Sequence, residues 1–129
     1  MKKQPPAAEK NALATGPDVR SRQMVSTTES LKRAFENHLR FTLAKDQYSS
    51  NDHDRYVALA MTVRDRLVDR WIRTSQTYHD HNVKRIYYLS MEYLIGRSMG
   101  NNVINLGMEP AVVGALNDLG LDWLSLIHI

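Results

Sequence analysis

The first half of the chain carries apolar residues at helical spacing. One apolar residue recurs at every fourth position after residue 30, which places a stripe on a single helix face. The members of that stripe are Leu31, Phe35, Leu39 and Leu43. The run Ser26-Thr27-Thr28-Glu29 has the form of a capping box, in which a hydroxyl and a carboxylate each accept a hydrogen bond from a free backbone N–H. The pattern predicts a first helix that begins at Ser26 and ends near Lys45.

A second, longer helix follows a polar connection over residues 46–52. Asn51 or Asp52 can cap its first turn. Asp69 precedes Arg73 by four positions, which is the favourable orientation for an ion pair on a helix. We expect this helix to end near Tyr78. Its predicted buried stripe consists of Tyr56, Leu59, Val63, Leu67 and Trp71.

The second half of the chain contains one predicted strand between helices. Arg85–Ser90 is an apolar, aromatic run of strand length, and core packing is expected for its two tyrosines. A short helix over about 98–106 is stopped by Gly107, and Pro110 opens a further helix that ends at Gly120. The predicted order is helix, helix, strand, helix, helix. Because one buried strand needs neighbours in a sheet, the pattern indicates an α/β fold that is incomplete in this chain.

The net positive charge of the chain comes from its first 25 residues. The formal net charge is +3, from 17 basic and 14 acidic residues. Residues 1–25 hold five of the basic and two of the acidic residues, so the remainder is balanced at twelve of each. Since a nucleic-acid domain concentrates positive charge on a structured face, we expect no nucleic-acid partner. The polar composition and missing apolar period of 1–25 predict a disordered basic tail.

Composition excludes further classes of site. The chain has no cysteine, which excludes disulfides and thiolate metal sites. It has no apolar run of the roughly 20 residues that a membrane span needs, and no secretory signal. His79-Asp80-His81 contains metal-ligating residue types but no distant fourth ligand, so we expect no metal site. The prediction is a cytoplasmic protein without a membrane partner.

Two consecutive runs carry a family resemblance. The segment from Lys84 to Gly107, KRIYYLSMEYLIGRSMGNNVINLG, continues from TVRDRLVDRWIRTSQTYHDHNV without a gap. From about Ser26 to Trp123 the chain resembles the N-terminal part of the glycogen/starch (α-glucan) phosphorylases. The resemblance implies a GT-B type α/β enzyme that transfers the terminal α-1,4-linked glucose of a glucan to inorganic phosphate, giving glucose 1-phosphate. It also implies a homodimer, and pyridoxal phosphate held by a lysine of a C-terminal domain beyond this chain.

The resemblance places no catalytic or cofactor-binding residue within the chain. Glu92 corresponds to an acidic residue near the active-site crevice, and helix capping is the alternative role for its carboxylate. Leu94 occupies a position near the cofactor that is tyrosine in animal enzymes. Both residues are therefore expected in the active-site vicinity, and the chain alone is expected to be inactive.

Regulatory positions also follow from the resemblance. Activation by AMP in the family uses positions that correspond to Asp46 and Gln76, and the stacking tyrosine of that site is His79 here. Because the tyrosine ring that stacks on the adenine base is absent, AMP binding at this site is expected to be weaker. Arg73 matches one of two arginines that receive a phosphoserine from the tail, whereas Gln47 stands at the other position. Ordinary solvated helix-end chemistry is the alternative interpretation of these residues.

The resulting organisation has three parts. Residues 1–25 are predicted to be the basic tail, 26–123 a partial N-terminal phosphorylase domain, and 124–129 a non-native tail, because LSLIHI departs from the phosphorylase pattern. The alternative function is a stand-alone helical interaction module that binds a partner through the basic tail. That alternative requires a self-sufficient core.

Overall fold

Five α-helices and one π-helical turn form the part of the chain that a computed structural model describes, residues 26–91 and 96–128. The elements are α1 (Thr28–Asn37), the π-helical turn (His38–Thr42), α2 (Asp52–Asp80), α3 (Met99–Asn105), α4 (Glu109–Asp118) and α5 (Trp123–Ile127).

Helix α1 begins one residue later than the predicted capping box. Thr27 is the N-cap, and its hydroxyl oxygen accepts a hydrogen bond from the Ser30 backbone N–H at 3.3 Å. The box predicted from Ser26 to Glu29 is therefore wrong in register. The helix continues into the π-helical turn, in which the Leu43 N–H donates to the carbonyl of His38. Ala44 then adopts a left-handed conformation with φ of 53°, which ends the helical segment close to its predicted boundary.

Helix α2 has well-defined caps at both ends. Asn51 accepts from the Asp54 N–H at 2.8 Å, and the Asp54 carboxylate accepts from the Asn51 N–H at 3.0 Å, which is a complete capping box. The sequence allows either Asn51 or Asp52 as the N-cap of α2, and the structure has Asn51 in that role. After Asp80 the chain reverses at Asn82, whose φ is 45°, and the Val83 N–H donates to the Tyr78 carbonyl.

The core lies between α1, α4 and the first half of α2, with α3 and α5 closing its sides. Its buried apolar side chains are Leu31, Phe35, Leu39, Ala58, Leu59, Val63, Met99, Val103, Leu106, Met108, Val112, Ala115, Leu116 and Leu126. The stripe predicted for α1 is confirmed at its first three positions. The stripe predicted for α2 is confirmed at Leu59 and Val63, but Leu67 is 38% exposed and Trp71 is 73% exposed. Burial stops there because no described segment covers the second half of α2.

The predicted strand is not formed. Residues 83–90 have no regular secondary structure, and the side chains of 86–89 are 78–92% exposed. A strand needs a neighbouring strand to pair its backbone groups, and the described residues contain none. The predicted helix–strand order is therefore not confirmed. The core packing predicted for Tyr87 and Tyr88 is wrong, since both side chains are exposed. The described part of the chain is mostly helical.

Arginine side chains tie α2 to its neighbours through backbone carbonyls. Arg66 is only 4% exposed, and its guanidinium donates to the carbonyls of Thr62 at 3.1 Å and Ser30 at 3.3 Å. Burial lowers the pKa of Arg66, yet a guanidinium stays charged at neutral pH. Arg70 donates at 2.9 Å to the carbonyl of Leu106, which lies at the carboxyl end of α3. Leu106 is the C-cap of α3, where carbonyls lack an intrahelical partner, so the Arg70 bond satisfies one of them.

A histidine fastens the π-helical turn. His38 contacts the Thr42 hydroxyl through Nδ1 at 3.0 Å and the Asp65 carboxylate through Nε2 at 2.8 Å. These contacts join the π-helical turn to the middle of α2. They help to hold the turn in a helical geometry that is rare in proteins.

The last described segment is helical. Asp122 caps α5 by accepting from the Ser125 N–H at 2.7 Å, and Leu126 is buried. The predicted glycine stops are confirmed, since Gly107 and Gly120 have φ of 67° and 70°. Pro110 lies in the first turn of α4, as predicted. None of the helices in 26–91 and 96–128 combines the length and apolarity that a bilayer crossing requires.

Two glycines should respond to alanine in opposite directions. Gly107→Ala places a Cβ on a left-handed backbone, so we expect the free energy of unfolding to fall by about 1 kcal/mol. Gly100 lies within α3 and has open space where an added methyl group would lie, so Gly100→Ala should raise it by up to about 1 kcal/mol. Urea unfolding followed by circular dichroism measures both. Equal effects of the two substitutions would contradict the assigned helix end.

Candidate regulatory site

An open groove runs along the second half of α2 and is named here the α2 groove. Its volume is about 590 Å³. It is lined by Val68, Trp71, Ile72, Ser75, Gln76, His79, Asp80 and Arg85. The first seven recur at helical spacing on one face of α2. The groove therefore combines an indole and two aliphatic side chains with polar groups that can donate and accept hydrogen bonds.

The left-handed Asn82 shapes one wall of the α2 groove. Because the chain reverses there, Arg85 returns to lie beside the last turns of the helix. At this end of the groove, Nδ1 of His79 lies 3.8 Å from the carboxylate of its neighbour in sequence, Asp80. The described residues contain no cluster of histidine and carboxylate ligands that could hold a metal ion.

Arg73 lies beside the α2 groove in a smaller depression of about 240 Å³ with Gln76, Thr77 and Asp80. Its guanidinium pairs with the Asp69 carboxylate, which confirms the predicted ion pair. The Nε atom of Arg73 is buried and has no hydrogen-bond partner in the described part of the chain. Gln76 lines both depressions, so two of the predicted regulatory residues are neighbours.

Asp46 lies in a second groove, named here the loop groove, of about 540 Å³. Its carboxylate oxygen Oδ1 accepts from the Ser49 hydroxyl at 2.6 Å and from the backbone N–H groups of Ser49 and Tyr48 at 2.7 and 3.1 Å. The Ser49 hydroxyl is the main cause that lowers the pKa of Asp46. Asp46 therefore organises the 46–50 turn, and Gln47 lies in the same groove.

Helix α2 separates the two halves of the predicted regulatory set. Asp46 is next to the start of α2, whereas Gln76 and His79 belong to its last turns. At 1.5 Å per residue, about 36 Å of helix lies between Asp52 and Gln76. One chain therefore brings Arg73, Gln76 and His79 together but does not bring Asp46 to them.

The expected active-site residues Glu92 and Leu94 lie outside the described residues. In the described segment that begins at Gly96, the Arg97 guanidinium contacts Nδ1 of His128 at 3.0 Å.

Comparison with known proteins gives consistent matches. The chain is 51% identical over 98 residues, 76% of its length, to glycogen phosphorylase, liver form, of Homo sapiens. It is 50% identical over 104 residues, 81% of its length, to the muscle form of Ovis aries, and 50% identical over 92 residues, 71% of its length, to the brain form of Bos taurus. No protein-family model matches the chain.

The matched part of this chain is homologous to glycogen phosphorylases. The resemblance predicted from the sequence is thereby confirmed. The chain spans 12% of the length of the liver and muscle forms and 11% of the brain form.

Sequence reasoning missed part of each groove in this phosphorylase-related chain. The sequence predicts Trp71 in the core, yet it lines the α2 groove beside Ile72. Ser75 lies four residues after Trp71 and Gln76 lies four residues after Ile72, so the helical period would have placed these two pairs side by side along α2. The cations Arg40 and Arg55 of the loop groove are far apart in sequence, and no periodicity joins them.

The Asp46 turn makes a pH-dependent prediction. The folded-state pKa lies below the usual value of 3.8, so the charged form stabilises the turn above that pH, and the stabilisation is lost as pH falls through the folded pKa. Ser49→Ala should raise the pKa of Asp46 towards 3.8. Ser50→Ala is the matched control, because the Ser50 hydroxyl accepts from Arg55 instead. NMR titration of the Asp46 carboxyl measures this, and equal shifts in both variants would contradict the assignment.

Proposed function

We propose that this chain is the N-terminal part of an α-glucan phosphorylase. The complete protein transfers the terminal α-1,4-linked glucose of a glucan to inorganic phosphate and releases glucose 1-phosphate. The observation that carries the proposal is the identity of about 50% to glycogen phosphorylases over most of the chain. We place the complete enzyme in the cytoplasm, in line with the absence of cysteine from this chain.

Exposed apolar side chains support a place within a larger fold. Trp71 and Ile72 on α2, and Met91 after the exposed segment 86–89, are apolar side chains that the described residues leave uncovered. Soluble proteins rarely expose apolar patches of this extent without a partner surface. We propose that the parent protein has the GT-B architecture and that 85–90 pairs as a strand with its sheet.

The cofactor and the catalytic groups are assigned to the remainder of the parent protein. A lysine that holds pyridoxal phosphate needs a desolvated pocket. The described lysines, Lys32, Lys45 and Lys84, are exposed or only half-buried, so they do not fit that role. Glu92 and Leu94 remain our proposal for the active-site vicinity, and the chain alone is proposed to be inactive.

We further propose that the regulatory residues are completed by a second copy of the chain. In one copy, about 36 Å of α2, from Asp52 to Gln76, lies between the Asp46 loop and Gln76. In a homodimer the loop that carries Asp46 can lie against the α2 groove of the partner copy. Arg73, Gln76 and His79 would then share one site with a residue that their own chain cannot supply.

A chimera tests the proposed activity. Residues 26–123 replace the corresponding segment of glycogen phosphorylase, liver form, of Homo sapiens. We expect the chimera to release glucose 1-phosphate from glycogen and phosphate within about tenfold of the parent rate, a difference of about 1.4 kcal/mol in activation free energy. The isolated chain should release none.

A control chimera carries Val103→Asp, which buries an unpaired carboxylate in the core and should abolish folding and activity. A folded chimera without phosphorylase activity would contradict the proposed function.

The nucleotide site has its own test in the active chimera. Because base stacking on an aromatic ring contributes about 1–3 kcal/mol, His79→Tyr should lower the AMP concentration for half-activation by about fivefold or more. His81→Tyr is the matched control, since His81 is exposed and does not line the α2 groove. Activity is measured against AMP concentration. An unchanged AMP response in His79→Tyr would remove His79 from the nucleotide site.

A further inference from the structure

The run 86–89 is an uncovered apolar segment without a partner strand in the part of the chain that the structure describes. Its side chains are 78–92% exposed, and the backbone has no regular secondary structure over 83–90. Isoleucine and tyrosine favour extended pairing. An extended apolar run with uncovered edges is a surface to which another chain can add a strand. The members of the run are Ile86, Tyr87, Tyr88 and Leu89.

The charges beside this run decide how two copies of it can pair. Lys84 and Arg85 precede the run, and both are exposed. In a parallel, in-register pair each of these cations would lie beside its own copy, and like charges directly opposite are destabilising. In an antiparallel pair the two basic ends lie at opposite ends of the ribbon, and apolar residues face one another. Charge therefore favours antiparallel pairing of two copies.

Twofold symmetry restricts the register of such a pair. In a closed dimer of identical chains, residue i contacts residue j and j contacts i, so one residue of an antiparallel pair lies opposite its own copy. Centring the pair on Tyr87 or on Tyr88 places three of the four residues of 86–89 opposite residues of the same run. The central pair is then tyrosine on tyrosine, and aromatic cross-strand pairs stabilise a sheet.

The uncovered part of α2 supplies the packing surface that a two-stranded ribbon needs. Two strands alone are marginally stable in water, and packing against a helix stabilises them. Arg85 already lies in the α2 groove with Trp71 and Ile72. Side chains alternate along a strand, so Tyr87 and Leu89 share the side of Arg85 once the segment is extended. One face of the ribbon therefore meets the apolar part of the α2 groove.

The uncovered apolar area is large enough for a dimer. Trp71, Tyr87 and Tyr88 are 73–90% exposed. Since an aromatic side chain buries about 150–250 Å², these three side chains from each of two copies can bury about 700–1,200 Å². Ile86 and Leu89 of each copy add to this area and bring it towards the range of about 1,200–2,000 Å² that specific interfaces bury.

We propose that the 129-residue chain forms a twofold-symmetric dimer in which segments 85–90 of two copies pair as antiparallel strands and pack against α2. The partner is a second copy of this chain. The contact differs from the one proposed above for the regulatory residues, in which the loop of one copy meets the α2 groove of the other. In the complete phosphorylase the sheet of the parent protein takes the place of the second copy.

Single-cysteine variants test the pairing, because the chain has no cysteine of its own. One cysteine is placed in turn at each of positions 86–89, and the disulfide-linked dimer is quantified after oxidation. A disulfide needs Cα atoms about 4.4–6.8 Å apart. We expect the highest yield from Tyr87→Cys or from Tyr88→Cys and at least about fivefold less at the other three positions, where the Cα atoms lie beyond that distance. Ile104→Cys, exposed on α3, is the control and should give no dimer above background.

Charge variants test the same contact without a crosslink. Ile86→Lys together with Leu89→Lys should raise the dimer dissociation constant at least about tenfold, because lysines on the ribbon repel one another and replace apolar pairs. Ile104→Lys together with Leu124→Lys adds the same charge at exposed apolar positions outside the segment and should leave it unchanged. Sedimentation equilibrium over about 10 μM to 1 mM chain measures both.

Three results would overturn the proposal. Equal crosslinking at all four positions would indicate parallel or unspecific association. A monomer at every concentration would leave the segment to α2 of its own chain. A dimer that survives the lysine substitutions at 86 and 89 would assign the second copy to another surface. Neither measurement requires phosphorylase activity, so a failed chimera with an intact dimer would reject the proposed function alone, and an active chimera without the dimer would reject this inference alone.

Discussion

Helix α2 buries its first half against α1, α3 and α5, whereas its second half has no cover among the described residues. The helix has 29 residues and is about 43 Å long, longer than the helical core beside it. Burial ends at Arg66, and the apolar side chains beyond it form the α2 groove. The length of α2 also separates Asp46 from Gln76. The placement of both grooves follows from this one helix.

Two arginines of α2, Arg66 and Arg70, donate to backbone carbonyls rather than to carboxylates. Arg66 reaches the first turn of α1, and Arg70 reaches the end of α3. A guanidinium has five donors in a rigid fork, so one side chain can satisfy carbonyls on two helices. These arginines thereby fix the rotation of α2 about its axis and, with it, the direction in which Trp71 and Gln76 face.

Local signals were readable from the sequence because short-range chemistry determines them. The left-handed glycines at 107 and 120, Pro110 in the first turn of α4 and the ion pair of Asp69 with Arg73 each depend on a few neighbouring residues. The strand predicted at 85–90 does not form, because strand formation depends on a partner segment that the described residues do not contain. The apolar period of α2 was read correctly as helix, but periodicity does not state which part of a helix is covered. The loop groove was missed because its walls come from four separate segments.

The π-helical turn has a consequence for how this region can change. It accommodates one residue more than an α-helical turn. Leu39 of the turn is buried in the core, and His38 of the turn contacts Asp65 of α2. Deleting one residue between His38 and Thr42 would restore α-helical winding. Because the turn already absorbs the extra residue, the segment beyond it would keep its orientation about the helix axis, whereas the same deletion within α1 would rotate that segment by about 100°. Lys45 and Asp46 would therefore stay in their groove. Related chains can gain or lose one residue at this turn and still present the same surface after it.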